Sequence, residues 1–413
     1  MMVAATKSFT PQAELGTTNA GPLGLLFGAL VVMALSPLLG WIGLIITSIF
    51  FGRPYHRLRR VLGLGIVLCG ALSYASRETS GLANDDFYYT YYPLYLTIQQ
   101  DGLMAFWKQR YLDYGATIGV SMVELGFYVW LWGVSLVFGK VSIALLIFLT
   151  TFAVAFFYWI WLETYFLPEV PPGRRAMVMA LCLTLFSYGL CSQLSRQMFS
   201  IPFILMAIWE KRMMRAALWL LVGALFHLTA LPLGIFGWAV RRWPGVCLAV
   251  LVGLLAILFV WPPFLQTFGA AIAFDKFAFY SSSASGDAAG FDSRYLLVGL
   301  APGVLGCLAL ANRRFMMGHL LIASTLVYLL FLPLPLASFR TTLFVTSALL
   351  GPALACGLID RVGRRLFALF CLGVALAMLA RRAQLHEEGG MSLWQKFSRA
   401  DVMPFYYVAE ICK

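Results

Sequence analysis

Apolar runs separated by short basic clusters make up most of the chain. The runs that reach, or nearly reach, a spanning length are 22–51, 61–76, 117–138, 141–167, 176–194, 196–209, 216–240, 246–267, 295–311, 316–333, 341–359 and 366–380. A spanning helix needs about 20 apolar residues, so the pattern predicts an all-α, polytopic integral membrane protein. Between the runs lie Arg53/Arg57/Arg59/Arg60, Arg174/Arg175, Lys211/Arg212/Arg215, Arg241/Arg242, Arg313/Arg314 and Arg361/Arg364/Arg365. These clusters hold 16 of the 30 basic residues, with only Glu169, Glu210 and Asp360 as acidic neighbours. Cations concentrate in cytoplasmic loops, so all six clusters are expected on the cytoplasmic side.

If every run crossed once, some clusters would have to face outwards. Parity returns if two runs do not cross. The segment 216–240 has basic clusters at both ends and Pro232 inside. It reads as a re-entrant pair of half-helices with the Phe226–His227 turn deep in the membrane. Non-helical backbone is tolerated there only where protein or a water-filled cavity covers it. The segment 117–138 is expected to lie along or dip into the outer face. About ten transmembrane helices remain, with both termini outside. The expected organisation is a single membrane domain over 1–413, outer-face loops at 77–116 and 268–294, and an outer-face tail over 381–413. The extra length of 22–51 leaves room for a further hairpin around Pro37.

Composition removes the soluble alternative. Hydrophobic residues are 61% of the 413 and charged residues 12%, against about a quarter charged in ordinary globular proteins. A mean hydropathy of +0.83 would leave an apolar surface on any soluble fold of this size. The net charge of +12 then reports loop orientation. Nucleic acid is excluded as a partner because no extended soluble basic surface exists to bind it. Seven cysteines lie in or beside apolar runs and Cys412 stands alone in the tail, with no CxxC or Cys/His spacing. Neither a disulfide framework nor a metal site is supported. The apolar run after the polar first 20 residues lacks a clear cleavage signal, which argues against a removable signal peptide.

The informative charges are those that the orientation rule would remove. Arg77, Arg196, Arg294 and Arg340 all fall at outer ends of predicted helices. Cations there oppose insertion, and guanidinium does not neutralise itself. Its planar fork suits phosphate oxygens, so four such groups at one level could cradle a pyrophosphate headgroup. Each could instead snorkel to lipid phosphates, and Arg77 and Arg294 have Glu78 and Asp292 beside them for local pairing. Among the acids, Asp85 and Asp86 are adjacent on the first outer loop and Glu124 interrupts an apolar stretch. A carboxylate near the membrane surface can act as general base on a sugar hydroxyl. A helix N-cap for one Asp and a salt bridge to an arginine for Glu124 are the plainer alternatives. His227 could hydrogen-bond phosphate or assist proton transfer, or be a structural histidine bonded to exposed backbone carbonyls.

Taken in order, these residues resemble the EpsG-like branch of the Wzy-type bacterial polysaccharide polymerases. Arg77 and Asn84-Asp85-Asp86-Phe87-Tyr88-Tyr89 match an Arg after the second crossing and an Asp-aromatic-x-x-Tyr segment. Glu124-Leu125-Gly126-Phe127 matches a Glu-x-Gly-aromatic element, and Arg196-Gln197 an Arg-Gln opening a crossing. Glu210-Lys211-Arg212 and Phe226-His227 match a basic loop and a Phe-His turn, Arg340 a late helix-opening Arg, and Met403-Pro404-Phe405-Tyr406 the tail. The Asp register is shared, since Asp86 precedes Phe87 while Asp85 has Tyr89 at the family spacing. Met198 departs from the small apolar residue expected after Arg-Gln.

The resemblance implies a fold like the membrane-embedded glycosyltransferases of the C superfamily. It implies transfer of a growing glycan between polyprenyl-pyrophosphate carriers at the periplasmic face of the bacterial inner membrane. The implied partners are an undecaprenyl-pyrophosphate-linked oligosaccharide, the lipid bilayer and a chain-length regulator. Arg77, Arg196, Arg294 and Arg340 become candidate pyrophosphate ligands, and Asp85, Asp86, Glu124 and His227 candidate catalytic groups. Expelling pyrophosphate accumulates negative charge that preplaced guanidinium groups stabilise. Those groups could replace a divalent ion, so no cofactor and a metal-independent, inverting transfer are expected. Absence of a nucleotide-binding motif fits a lipid-linked donor. A flippase or transporter of the same lipid-linked glycan, and an O-antigen ligase, are the alternative functions, because both need an anionic-headgroup site. No internal repeat of the kind common in transporters is present, and the unusual charges collect on one face, which favours an enzyme.

Overall fold

The structure, a computed structural model, describes residues 20–50, 56–75, 87–105, 124–261, 293–332 and 342–387. It is all-helical, with no strand among the described residues. The first apolar run divides at Ser36 into α1 (Ala20–Leu35) and α2 (Pro37–Phe50), which pack on each other. Pro37 suits the first helical position because its missing N–H has no partner there. Next come α3 (His56–Ala75), a π-helical turn (Phe87–Tyr91) continued by α4 (Tyr92–Asp101), α5 (Leu125–Phe138) and α6 (Ile143–Trp161). The helix expected over 117–138 is described from Leu125 onward. One buried core runs from Leu38 in α2 to Ala375 near the end of the described residues, joining most of these elements.

Two stretches, His56–Ala75 and Ile143–Glu169, are long and apolar enough on their own to cross a membrane. The other expected crossings are shorter as regular helices, and the structure shows why for one of them. The continuous helix expected over 176–194 is interrupted. It forms α7 (Arg175–Leu185), then α8 (Tyr188–Gln193) after a break at Phe186–Ser187. Phe186 stacks on Tyr158, with ring centroids 4.5 Å apart. The Ser187 N–H leaves the helical pattern to donate to the Ser347 carbonyl at 3.1 Å. That carbonyl lies in a π-helical turn, Val345–Leu349, which interrupts the run 341–359 just before the helix Leu350–Leu358. The Tyr158 hydroxyl donates to the neighbouring Ala348 carbonyl at 2.6 Å. Each irregularity supplies a partner that the other needs, so backbone groups stay satisfied in an apolar interior. Helix hydroxyls do the same locally, as Ser73, Thr184 and Ser324 donate to carbonyls four residues back.

Described members of all six basic clusters meet at one end of the bundle, around the segment that joins α6 to α7. Arg59 forms a bidentate pair with Glu163, at 2.9 and 2.5 Å, with Arg60 3.7 Å from the same carboxylate. The Arg174 guanidinium donates to the Ile359 carbonyl and, at 3.0 Å, to that of Val362. Arg314 reaches the Glu169 carbonyl at 3.0 Å and the Asp360 carboxylate at 3.4 Å. Arg361 donates to Asn312 at 2.8 Å, and Asn312 donates to the Cys356 and Gly357 carbonyls. Arg241 donates to the Ile208 and Glu210 carbonyls at 2.6 and 3.0 Å. Arg174, Arg241 and Arg314 therefore cap carbonyls at or just past helix C-termini, where a cation also complements the helix dipole.

Glu210 organises the same face. Its carboxylate accepts from the Arg212 and Lys211 N–H groups at 3.0 and 2.8 Å and from the Tyr165 hydroxyl at 2.9 Å. The Arg212 N–H, ahead of the Tyr165 hydroxyl, holds the Glu210 carboxyl below the usual carboxylate value.

From this face rises the hairpin that the sequence predicts over 216–240. Its arms are α10 (Met213–Phe226) and α11 (Ala230–Arg242), broken at His227–Thr229. Both feet stand beside Glu210, through the Arg212 N–H and the Arg241 guanidinium. At 1.5 Å per residue each arm is about 20 Å long. The helix α9 (Ser195–Trp209) runs alongside over a similar length. Its N-terminal turn therefore lies at the level of the hairpin tip.

Candidate functional site

The hairpin tip, the start of α9 and the start of α5 bring three of the sequence-predicted residues together. Glu124 immediately precedes α5, with its side chain 11% exposed. One carboxylate oxygen accepts from the Arg196 guanidinium at 2.9 Å. The other faces His227 Nδ1 at 2.6 Å and accepts from the Leu228 N–H at 3.2 Å. The ion pair with an arginine, one of the alternatives for Glu124, is thus present. Arg196 sits in the first turn of α9, where the helix dipole disfavours a cation. Glu124 supplies the compensating anion. An ionised carboxylate can only accept, so Nδ1 carries the hydrogen and Nε2 is the nitrogen left for other chemistry. The His227 side chain is 17% exposed and that of Arg196 is 38% exposed, so Arg196 is the open side of the cluster.

The Glu-x-Gly-aromatic motif has a geometric reason at each position. Gly126 lies against the hairpin tip, and a Cβ there would sit 3.0 Å from the Leu225 carbonyl carbon and 3.1 Å from the Phe226 nitrogen. A side chain would push α5 off the tip and Glu124 off His227. Phe127 is fully buried and packs edge-on against Tyr91 and Phe199, with centroids 5.0 and 6.1 Å apart. Phe199 stacks on Phe226 at 4.7 Å with the rings 7° from parallel. Phe226 stacks in turn near Phe203, and Phe203 near Trp219. This aromatic ladder fixes the residue next to His227 and ties the tip to α9. Such rigid support is what a preorganised polar cluster requires. At the other end of α5, Gly139 has φ +65°, a conformation that favours glycine, and its carbonyl accepts from the Tyr95 hydroxyl.

Sequence reasoning missed three contributors. The Tyr91 hydroxyl is a further hydrogen-bond partner of Arg196, and the Tyr128 hydroxyl lies close by. The Leu228 backbone donor is invisible in side-chain patterns. Tyr91 stood in a run of aromatics with nothing in its spacing to mark it, and Tyr128 follows the Glu-x-Gly-aromatic motif directly.

The other candidates are not brought into view. Arg77, Asp85, Asp86 and Arg340 lie outside the described residues. Arg294 falls in the first turn of the helix Ser293–Ala311, and its side chain is outside the description. Parts of the expected outer loops 77–116 and 268–294 and most of the tail 381–413 lie outside as well. Among the described residues no three His, Cys, Asp or Glu side chains gather into a metal-ligating group.

A family model described as the EpsG family matches residues 62–395, most of the chain. No curated protein matches, and no solved structure matches.

Proposed function

Because the chain belongs to the EpsG family of Wzy-like polysaccharide polymerases, whose members are membrane proteins, we propose that it polymerises lipid-linked oligosaccharide repeat units. In this reading a polyprenyl-pyrophosphate donor, of the undecaprenyl class, gives up its glycan at the periplasmic face of the inner membrane. The chain forms a single membrane domain of about ten crossings, with outer loops 77–116 and 268–294 and the tail from 381 on the periplasmic side. The observation that carries the proposal is the Glu124–Arg196–His227 cluster, held about 20 Å above the arginine-rich face by the arms of the hairpin. The hydrocarbon core is about 30 Å thick. A basic face on the cytoplasmic side would leave the hairpin short of the outer surface, and the cluster within reach of that surface.

The chemistry divides among named groups. Attack of an acceptor hydroxyl on the anomeric carbon forms the new C–O bond as the bond to pyrophosphate breaks, with inversion. The bond's electron pair leaves with the pyrophosphate. Arg196, open on one side, contacts that leaving group and stabilises its growing charge. Because Glu124 offsets part of this charge, the clamp also needs Arg77, Arg294 and Arg340. The acceptor proton passes to His227 Nε2. Glu124 already accepts three hydrogen bonds and has little capacity left to serve as the base. It acts through the two side chains it holds, fixing the imidazole tautomer and the guanidinium plane. Asp85 and Asp86 align the acceptor hydroxyl. No step in this account uses a metal.

Purified protein in nanodiscs, given lipid-linked repeat units and EDTA, should produce a ladder of glycans that collapses in Arg196→Ala and Arg340→Ala. Headgroup translocation in proteoliposomes without new glycosidic bonds would replace the polymerase by a flippase. A ladder indifferent to both substitutions would keep the polymerase and refute the arginine clamp.

A further inference from the structure

The turn that brings Tyr91 to Arg196 also presents an outward face that the chemistry above does not use. Phe87, Tyr91, Leu94, Tyr95 and Ile98 point into the core. The opposite side carries Tyr89, Pro93, Thr97 and Gln100, all exposed. Their spacing of four, four and three residues places them in one stripe along a helix. At 1.5 Å per residue the stripe is about 16 Å long. Tyr88 and Tyr89 are 41% and 56% exposed and pack edge to face at 4.9 Å, giving two ring surfaces at right angles beside the site. The stripe is held rigidly. The Tyr92 hydroxyl donates to the Val141 carbonyl at 3.2 Å, and the Tyr95 hydroxyl to that of Gly139.

Resting on the polymerase reading, we propose that this stripe is a subsite for the acceptor glycan, with sugar rings laid on Tyr88 and Tyr89 and hydroxyls paired to Thr97 and Gln100. Three observations favour a neutral glycan over lipid headgroups as the occupant. An interfacial lipid-binding helix carries Lys or Arg for anionic headgroups, and residues 87–105 contain none. The stripe's side chains are an aromatic, a proline, a hydroxyl and an amide, which supply flat apolar area and neutral donors and acceptors. Tyr91, on the inner side of the same turn, is a partner of Arg196, so the Tyr89 end of the stripe lies within one helix diameter, roughly 10–12 Å, of the reacting centre.

The test uses the full-length protein in nanodiscs and the repeat-unit oligosaccharide released from its lipid by mild acid. Saturation-transfer NMR should detect binding to the wild type and to Tyr88→Phe/Tyr89→Phe, which keep the ring faces. Binding should be lost in Tyr88→Leu/Tyr89→Leu, which keeps the apolar character that a membrane anchor needs. In the ladder assay the Leu pair should raise the apparent KM for acceptor about tenfold, as two lost ring contacts imply, and shorten the products. Equal binding by the Leu pair and the wild type overturns the subsite and points to a membrane-interface role. No binding by the wild type also overturns it. A wild type that binds, with the loss in the Leu pair, but makes no ladder supports the subsite and refutes the polymerase. A ladder unchanged in the Leu pair supports the polymerase and refutes the subsite.

Discussion

Glu124→Gln is the sharpest probe of the proposed site, because it changes charge and hydrogen-bond sense while keeping volume. The carboxylate accepts from Arg196 at 2.9 Å, from His227 Nδ1 at 2.6 Å and from the Leu228 N–H at 3.2 Å. An amide has one oxygen and one NH2, so either Arg196 or the His227–Leu228 side must face a donor. A hydrogen bond to a charged group contributes about 1.5–3 kcal/mol. The share for Arg196 is discounted because its side chain is 38% exposed. A loss of about 3 kcal/mol of transition-state organisation follows, or roughly a hundredfold in rate. Single-turnover transfer in nanodiscs measures it, with a monodisperse size-exclusion profile as the check on folding. His227→Ala and the double variant complete a cycle. Residues that act as one unit are non-additive, so the double variant should be no slower than the slower single variant, within about threefold. A Glu124→Gln enzyme above a tenth of the wild-type rate, or strictly additive losses, would refute the account of Glu124 as the holder of both partners.

Other consequences are equally concrete. Gly126→Ala should slow transfer about tenfold, since displacements well below an ångström at the reacting groups are costly. Gly133→Ala on the same helix, where an added Cβ meets nothing within 4 Å, should leave the single-turnover rate unchanged. Glu163→Gln breaks the buried Arg59 pair and should cost about 3–5 kcal/mol of stability. Arg59→Met/Glu163→Met should recover most of that loss in thermal unfolding in detergent, because no buried charge is left unpaired. The lowered carboxyl of Glu210 contributes stability that is present above its unfolded value of 4.5 and is lost as pH falls through the folded value. The melting temperature should therefore drop below about pH 4.5, by less in Glu210→Gln, and an identical profile for the two proteins would exclude the Glu210 contacts as a cause.

What the sequence revealed and what it hid have separate physical origins. The hairpin over 216–240 was legible because two basic clusters bracket an apolar run that also contains Pro232. Orientation rules constrain exactly such charges. The convergence of all six clusters on one face follows from the same signal. The break at Phe186–Ser187 was not legible, as no proline or glycine marks it. Its cause is a carbonyl of the distant turn Val345–Leu349 that the Ser187 N–H can reach. At the site, Glu124, Arg196 and His227 stood out as charged or titratable residues in apolar surroundings. Their meeting could not be read, because it depends on Gly126 admitting α5 to within contact of the hairpin tip.

The arginine face and the site are mechanically one assembly. The hairpin is pinned at its feet by Arg241 and by the Glu210 turn, and at its tip by Glu124 and the Phe199–Phe226 stack. Between these points α9 and α10 pack as rigid rods of about 20 Å. A short arm cannot reach both anchors if either one shifts, so the depth of His227 is set by helix length rather than by the loops around it. This explains why a non-helical tip carrying a polar side chain can persist deep in an apolar bundle. Its backbone break is compensated locally, with the Leu228 N–H taken by Glu124 and the His227 N–H by the Gly223 carbonyl at 3.0 Å. The residue that orders the chemistry thus also closes the backbone account at the tip, and a substitution at Glu124 should disturb both together.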